Sequence, residues 1–158
     1  MVTIEQIKEL RSRTGISVLQ CKEALEEAGG DEEKAAILLR KKGAEVSRKK
    51  QGRTLGSGVV ESYIHAGSKI GVLVELLCET DFVARNSEFK ELASDIAMHI
   101  AAMNPEHVDS GSEGDQALLE QPFVKDSSLT VCNLIEQAVQ KFGEKVEIGH
   151  FTRYELFS

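Results

Sequence analysis

The side chains best suited to chemistry are three cysteines and four histidines, scattered along the chain: Cys21, Cys78, Cys132, His65, His99, His107 and His150. Nucleophilic catalysis needs a cysteine or serine beside a general base, with a third group orienting that base. None of the seven lies in a sequence pattern typical of a hydrolase or an oxidoreductase. Cys21 and Cys132 fall on the apolar stripes of predicted helices and Cys78 ends an apolar strand, so we expect structural roles for these thiols. We expect His65 and His99 to be solvated or hydrogen-bonded.

Metal and phosphate sites are not indicated either. Metal ligands recur at short, regular spacing, and the sequence has no CxxC, HxxxH or HExxH. It also has no GxGxxG and no GxxxxGK[ST], the glycine-rich patterns that hold phosphates. We therefore predict no metal and no cofactor, and a binding or regulatory protein rather than an enzyme.

The most distinctive segment is Glu79-Thr-Asp-Phe-Val-Ala-Arg-Asn86, which follows an apolar strand and precedes a helix. At the end of a strand, Asp81 and Phe82 would hold a carboxylate and an aromatic ring side by side. Two interpretations are open. Thr80 or Asp81 could cap the next helix while Phe82 fills the core. Alternatively, Phe82 inserts into a partner protein and Asp81 accepts hydrogen bonds from it.

Composition and charge narrow the class of protein. The 158 residues are 41% hydrophobic and 28% charged, which is typical of a globular domain. The longest apolar run, 70–78, is too short to cross a bilayer. No signal peptide is recognisable at the N-terminus, and an odd number of widely spaced cysteines favours a reducing compartment, so we expect a cytoplasmic protein without membrane contact.

The net charge of −7 disfavours nucleic-acid binding by the chain as a whole. Seven of the 19 basic residues nevertheless lie between 40 and 53, against one acid, Glu45. This stretch is a candidate contact surface. It contains no aromatic residues on which bases could stack, so we expect no direct nucleic-acid partner.

The first 43 residues predict three short helices. Thr3 caps the first helix, Ser17 the second and Asp31 the third, with Gly15 and Gly43 ending the first and last. The apolar stripes of the first two helices are Ile4, Ile7 and Leu10, then Val18, Cys21, Leu25 and Ala28. Such faces must be buried against one another, which indicates a three-helix bundle.

The remaining sequence predicts an α+β fold. Strands are expected at 58–65, 70–78 and 145–156, a helix capped by Ser87 and extending to Met103, a loop at 105–117, and a helix from Val131 to Phe142 ended by Gly143. We predict a three-stranded antiparallel sheet with helices on one face. The predicted organisation is a helical bundle (1–43), a basic connector (44–57) and an α+β core (58–158).

Five short segments, taken in order, resemble one protein family. They are Arg11-Ser-Arg-Thr-Gly15, Cys21-Lys-Glu-Ala-Leu25, Gly30-Asp31, Thr80-Asp-Phe-Val83 and Lys141-Phe-Gly-Glu144. Together they are similar to translation elongation factor Ts, and the likeness covers nearly the whole chain. The resemblance implies a ubiquitin-associated-like bundle joined to an α+β core.

The resemblance also implies a function: guanine-nucleotide exchange on elongation factor Tu. Asp81 and Phe82 would enter beside the partner's magnesium and phosphate site, with Thr80 and Val83 fixing their presentation. The resemblance implies further contacts with elongation factor Tu at five positions: Lys22, Lys49, Lys50, Phe142 and Gly143. Short members of the family form homodimers, so the resemblance also implies a homodimer through the core sheet.

The sequence departs from the family pattern at several positions. Ser17-Val-Leu-Gln20 stands where Gly-Met-Met-Asp is common, Phe142 replaces an isoleucine, and Gly149-His150 replaces two arginines. The 104–120 loop is also short. Three other classes stay open at this stage: a ubiquitin-associated-type adaptor, an RNA-binding protein that uses residues 40–53, and a cysteine enzyme.

Overall fold

The computed structural model describes residues 1–109 and 117–158. In chain order its elements are α1 (Ile4–Thr14), α2 (Val18–Glu27), α3 (Glu32–Lys49), β1 (Ser57–Ile64), β2 (Ile70–Cys78), α4 (Asp81–Ala84), α5 (Ser87–Met103), a 3₁₀ helix (Leu118–Glu120), β3 (Pro122–Phe123), β4 (Asp126–Thr130), α6 (Val131–Phe142) and β5 (Glu147–Glu155). The predicted α+β class is confirmed. The predicted loop at 105–117 lies partly outside the described residues.

The chain divides into two compact units. The first unit contains residues 1–52 and 136–143, and the second contains residues 53–135 and 144–158. Helix α6 therefore contributes its first residues to the second unit and its last residues to the first.

Helix α1 begins and ends as the sequence predicts. The Thr3 side chain accepts a hydrogen bond from the Gln6 amide, and the Gln6 side chain accepts one from the Thr3 amide, which completes a capping box. The helix ends at Gly15, whose φ of 69° is left-handed. The Ser17 and Asp31 side chains cap α2 and α3, each accepting a hydrogen bond from a backbone amide of its helix. The buried core of this unit is formed by Leu10, Ile16, Cys21, Ala24, Leu25, Ala35, Ala36 and Leu39.

Four residues of the predicted apolar stripes are not in this buried core. Ile7 and Ala28 are partly buried and pack against it. Ile4 and Val18 are both exposed. Each stands in the first turn of its helix, whereas the core is formed by residues further along the helices and by Ile16 between them. Helical periodicity identifies the inward face of a helix but not where along it burial begins.

The predicted end of the third helix at Gly43 is wrong. Helix α3 continues through this glycine to Lys49. Gly43 is buried, and a Cβ there would lie 3.0 Å from Gln140 Oε1 and 3.5 Å from the Glu136 carbonyl oxygen. The missing side chain thus allows α6 to approach closely, and this packing outweighs the helix-propensity cost of about 1 kcal/mol. Lys49, assigned from sequence to the connector, is therefore helical.

The second unit is built on the predicted three-stranded antiparallel sheet. Its strand order is β1-β2-β5, with both neighbouring pairs antiparallel. Helix α5 packs on β1 and β2. On this side β2 buries Val72, Val74 and Leu76, and α5 buries an apolar stripe: Phe89, Ala93, Ile96, Ala97 and Ile100.

Several details of this unit differ from the sequence predictions. Asn86, not Ser87, caps α5, because the Asn86 side chain accepts a hydrogen bond from the Glu88 amide at 2.8 Å. Met103, at the predicted end of this helix, is exposed. The β3–β4 hairpin was not predicted, since β3 has only two residues and carries no alternation.

His99 is hydrogen-bonded in the interior, which confirms one of the two roles expected for it. It is fully buried, and its Nδ1 accepts from the Val124 amide at 3.1 Å. Its Nε2 must then carry the proton and donate to Gln121 Oε1 at 2.9 Å. Burial lowers the pKa of His99, with the Gln121 hydrogen bond acting in the opposite direction.

The three cysteines differ in burial. Cys21 and Cys78 are buried, whereas Cys132 is only partly buried. Burial raises the pKa of both the Cys21 and the Cys78 thiols, with Thr14 and Arg11 opposing it at Cys21. Both therefore favour the unreactive thiol over the thiolate.

Candidate functional site

The four residues Asp81–Ala84 form the short helix α4 directly after β2. Val83 and Ala84 are buried, but Phe82 is 92% exposed. Successive side chains on a helix point about 100° apart, so Val83 and Ala84 can face inward while Phe82 faces solvent. Of the two interpretations left open by the sequence, placement of Phe82 in the core is therefore wrong.

Asp81 is held by the neighbouring strand. Ser57 Oγ donates to Asp81 Oδ1 at 2.6 Å. Ser57 is the first residue of β1 and pairs with Cys78, the last residue of β2. The carboxylate is thus fixed to the sheet, and it remains exposed next to Phe82.

Thr80, on the other side of Asp81, is held by Glu144. The Thr80 amide donates to Glu144 Oε1 at 3.0 Å, and the Thr80 hydroxyl donates to Glu144 Oε2 at 2.7 Å. The Glu79 amide also donates to Glu144 Oε1, at 3.1 Å. Glu144 ends the family-like segment that begins at Lys141, but no local pattern indicates its contact with a residue 64 positions away.

The thiol of Cys78 supports the turn from the interior. Its Sγ donates to the Thr80 carbonyl oxygen at 3.3 Å. Burial raises the pKa of this thiol, and the charges of Glu144 and Asp81 raise it further. Cys78 therefore acts here as a neutral hydrogen-bond donor.

Lys22 lies in the first unit, on the exposed face of α2. Its Nζ is 3.7 Å from Glu26 Oε1, and its side chain is 53% exposed. Val18 and Leu19, in the preceding turn, are also exposed. Helical spacing predicts Val18 in the core and gives no role to Leu19, so the apolar surface beside Lys22 emerges only from the structure.

Two other predicted contact residues of the first unit are brought together. Lys50 Nζ donates to the Gly143 carbonyl oxygen at 2.8 Å. Gly143 ends α6 with a φ of 70°, a left-handed conformation that favours glycine. Phe142 is partly buried, with Lys141 Nζ 5.7 Å from its ring centroid, and Lys49 is exposed on the last turn of α3.

The structure therefore groups the predicted site residues in three places. Thr80, Asp81, Phe82 and Val83 form one turn of the second unit, Lys50 lies with Gly143 in the first unit, and Lys22 is exposed on α2 of that unit. Among residues 1–109 and 117–158, no group of three or more histidine, cysteine or acidic side chains is placed to hold a metal ion. Within the same ranges, no helix has the length and apolar character needed to cross a membrane.

Comparison with known families identifies the chain. A family model described as elongation factor TS matches residues 30–113, just over half of the sequence, including the Thr80–Val83 turn. The chain belongs to the elongation factor Ts family. It is 44% identical to elongation factor Ts of Desulforamulus reducens, with 98% of this chain and 89% of the relative covered. It is also 44% identical to elongation factor Ts of Carboxydothermus hydrogenoformans, over 99% of this chain and 89% of the relative.

A shorter relative also supports membership of this family. Elongation factor Ts of Fervidobacterium nodosum is 42% identical, and the alignment covers 98% of both proteins. That alignment extends over 193 positions, whereas this chain has 158 residues, so the relative contains segments without a counterpart here. Membership of the elongation factor Ts family gives the protein a role in translation elongation and implies elongation factor Tu as its partner.

Proposed function

We propose that this protein is a guanine-nucleotide exchange factor for elongation factor Tu, acting in the cytoplasm and promoting GDP release during translation elongation. In this proposal Asp81 and Phe82 enter the partner beside its magnesium and phosphate site. The factor contributes binding energy only. It requires no cofactor and catalyses no covalent chemistry of its own.

The observation that carries the proposal is the exposure of Phe82 on a turn that is fixed on both sides. Burying a phenylalanine side chain contributes about 1.5–3 kcal/mol, so an almost fully exposed ring forgoes that stabilisation in the free protein. The turn that carries the ring is nevertheless ordered, because Ser57 holds Asp81 and Glu144 holds Thr80. A ring presented in this way is suited to act as an anchor in a partner's pocket.

The energetic requirement of exchange is compatible with one such anchor. A factor that binds nucleotide-free elongation factor Tu more tightly than the GDP-bound form weakens GDP binding by the same factor. Each tenfold loss of GDP affinity requires about 1.4 kcal/mol of differential binding. A buried aromatic anchor supplies about 2 kcal/mol or more. If Asp81 also disturbs the partner's magnesium ion, the phosphates lose the charge that neutralises them.

The remaining contacts would provide affinity rather than exchange. Lys22 is exposed beside the apolar surface of Val18 and Leu19. This combination of one cation with apolar side chains suits a protein partner. The contribution of Lys49, Lys50, Phe142 and Gly143 would be a second contact on the same unit, with the Lys50 hydrogen bond holding the Gly143 carbonyl.

Reciprocal linkage gives the direct test. Titration calorimetry would measure the affinity of this protein for elongation factor Tu without nucleotide and with GDP, and the affinity of elongation factor Tu for GDP with and without this protein. We expect tighter binding to the nucleotide-free form and equal ratios in the two experiments. Equal affinity for both forms would refute exchange and leave an adaptor role.

We also propose that the protein forms a homodimer through the exposed face of its sheet. This face, opposite α5, carries four exposed apolar side chains: Val60, Ile64, Leu73 and Tyr154. The strand pairing places them together, since Ser62 between Val60 and Ile64 is opposite Leu73, and Gly71 is opposite both Ile64 and Tyr154. Two such sheets packed face to face would bury these side chains, as in a β-sandwich.

Sedimentation equilibrium tests the dimer. We expect Leu73→Glu to convert a dimer into a folded monomer, because an unpaired carboxylate cannot be buried without cost. Val124→Glu, which changes an exposed apolar residue outside the sheet, is the control and should remain dimeric. A monomeric wild type at micromolar concentration would refute the dimer without affecting the exchange proposal.

A further inference from the structure

We infer that Glu144 is a positioning residue for exchange, which holds the Thr80–Phe82 turn in the conformation that enters the partner. This inference rests on the proposed exchange function. It concerns a residue that does not itself touch the nucleotide or the partner's magnesium in that proposal.

Both oxygens of the Glu144 carboxylate are engaged by the turn. Oε1 accepts from the amides of Glu79 and Thr80 at 3.1 and 3.0 Å, and Oε2 accepts from the Thr80 hydroxyl at 2.7 Å. Three donors on two consecutive residues fix both the position and the direction of the chain as it leaves β2. Hydrogen bonds to an ionised acceptor are stronger than bonds between neutral groups.

The contact is reciprocal. The Lys145 amide donates to Glu79 Oε1 at 2.7 Å, while Glu144 accepts from the Glu79 amide. Arg53 Nη1 lies 3.4 Å from the same oxygen of Glu79. Residues 79–80 and 144–145 are thus joined in both directions, which limits sliding of one segment past the other.

The turn depends on such outside support. Helix α4 has four residues, which is too short for a helix to be stable by itself. Thr80 is its N-cap residue, yet its side chain makes no capping hydrogen bond. The hydroxyl that would usually stabilise the helix start is directed to Glu144 instead. Asp81, the next residue, is held by Ser57. Phe82 therefore projects from a segment whose conformation is set by two distant residues.

A positioning role makes a different prediction from a merely structural one. If Glu144 orients the turn, its loss should reduce the maximal rate of GDP release and leave the concentration of elongation factor Tu at half-maximal rate nearly unchanged. An effect on folding alone would lower the thermal midpoint and the activity together. Misplacing an acting group by about 1 Å can cost about 100-fold in rate.

The experiment compares full-length wild type, Glu144→Ala and Glu144→Gln in release of a fluorescent GDP analogue from elongation factor Tu. We expect Glu144→Ala to lower the maximal rate about tenfold or more. Glu144→Gln should recover most of it, because its amide oxygen can still accept from the backbone of residues 79 and 80. Glu91→Gln removes one negative charge from an exposed position on α5 and should behave as wild type.

The outcomes separate this inference from the function on which it rests. Wild-type rates in Glu144→Ala would overturn the positioning role while exchange stands. Equal losses in the alanine and glutamine variants, together with a lowered thermal midpoint, would also overturn it, since Glu144 would then serve stability alone. Failure of the wild type itself to accelerate GDP release would overturn the proposed function and, with it, this inference.

Discussion

Ser57 and Asp81 are joined by a hydrogen bond of 2.6 Å, from the serine hydroxyl to the aspartate carboxylate. The bond connects the first residue of β1 to the first residue of α4, 24 positions along the chain. It fixes the residue next to Phe82 to the edge of the sheet. The exposed ring is consequently presented from a turn that is anchored to the sheet.

Lys22→Ala should weaken binding to elongation factor Tu about tenfold and leave the stability of the chain nearly unchanged. The ion pair with Glu26 is exposed, and pairs of this kind contribute about 0–1 kcal/mol. Titration calorimetry measures the affinity. Lys34→Ala is the matched control, because Lys34 is also exposed and also forms an ion pair with a nearby residue, Asp31, the N-cap of its helix. Unchanged affinity in Lys22→Ala would remove this surface from the interface.

Gly58→Ala should destabilise the second unit by about 1–3 kcal/mol. A Cβ at Gly58 would lie 2.6 Å from the Leu76 carbonyl oxygen and 3.1 Å from the Leu77 Cα, both backbone atoms of the paired strand. The strands must therefore separate locally. Urea denaturation measures the loss. Gly52→Ala is the control, since no atom other than those of the glycine and its chain neighbours lies within 4 Å of the Cβ position there. A loss of equal size in both variants would contradict the steric explanation.

His99 should make the protein less stable in mild acid. Burial lowers its pKa in the folded state below the usual value of 6.5, so the unfolded chain binds a proton more readily than the folded chain. The contribution to stability is therefore complete above the unfolded pKa and is lost as the pH falls through it toward the folded pKa. Protonation would also remove the acceptor for the Val124 amide.

The measurement is the free energy of unfolding between pH 8 and pH 5 for wild type and His99→Gln. We expect the decline toward acid to be shallower in the variant, whatever its absolute stability. Identical slopes in wild type and His99→Gln would show that His99 does not couple protonation to folding.

Much of the fold follows from local sequence signals. Thr3 with Gln6, Ser17 and Asp31 begin their helices as predicted, because capping depends on residues only a few positions apart. The β1–β2 hairpin follows from two runs of β-forming residues that flank a short turn. The end of α3 did not follow, because the burial of Gly43 against Gln140 depends on a residue almost 100 positions away.

In the candidate site too, local features could be predicted from the sequence and long-range contacts could not. The Thr80–Val83 segment could be found from its residue sequence and from its position after a predicted strand. The exposure of Phe82 could not, since an aromatic residue next to an apolar strand is equally compatible with burial in the core. The support from Ser57 and Glu144 also required the structure, because both contacts are long-range.

The measurement that tests the central claim most directly is the rate of GDP-analogue release from elongation factor Tu with catalytic amounts of wild type, Phe82→Ala and Phe157→Ala. Phe157 is the matched control, since it is a fully exposed phenylalanine near the C-terminus. We expect acceleration by wild type and Phe157→Ala, and a loss of about tenfold or more in Phe82→Ala, with thermal stability unchanged because the ring has little contact to lose. Equal acceleration by all three proteins would contradict the claim that Phe82 drives exchange.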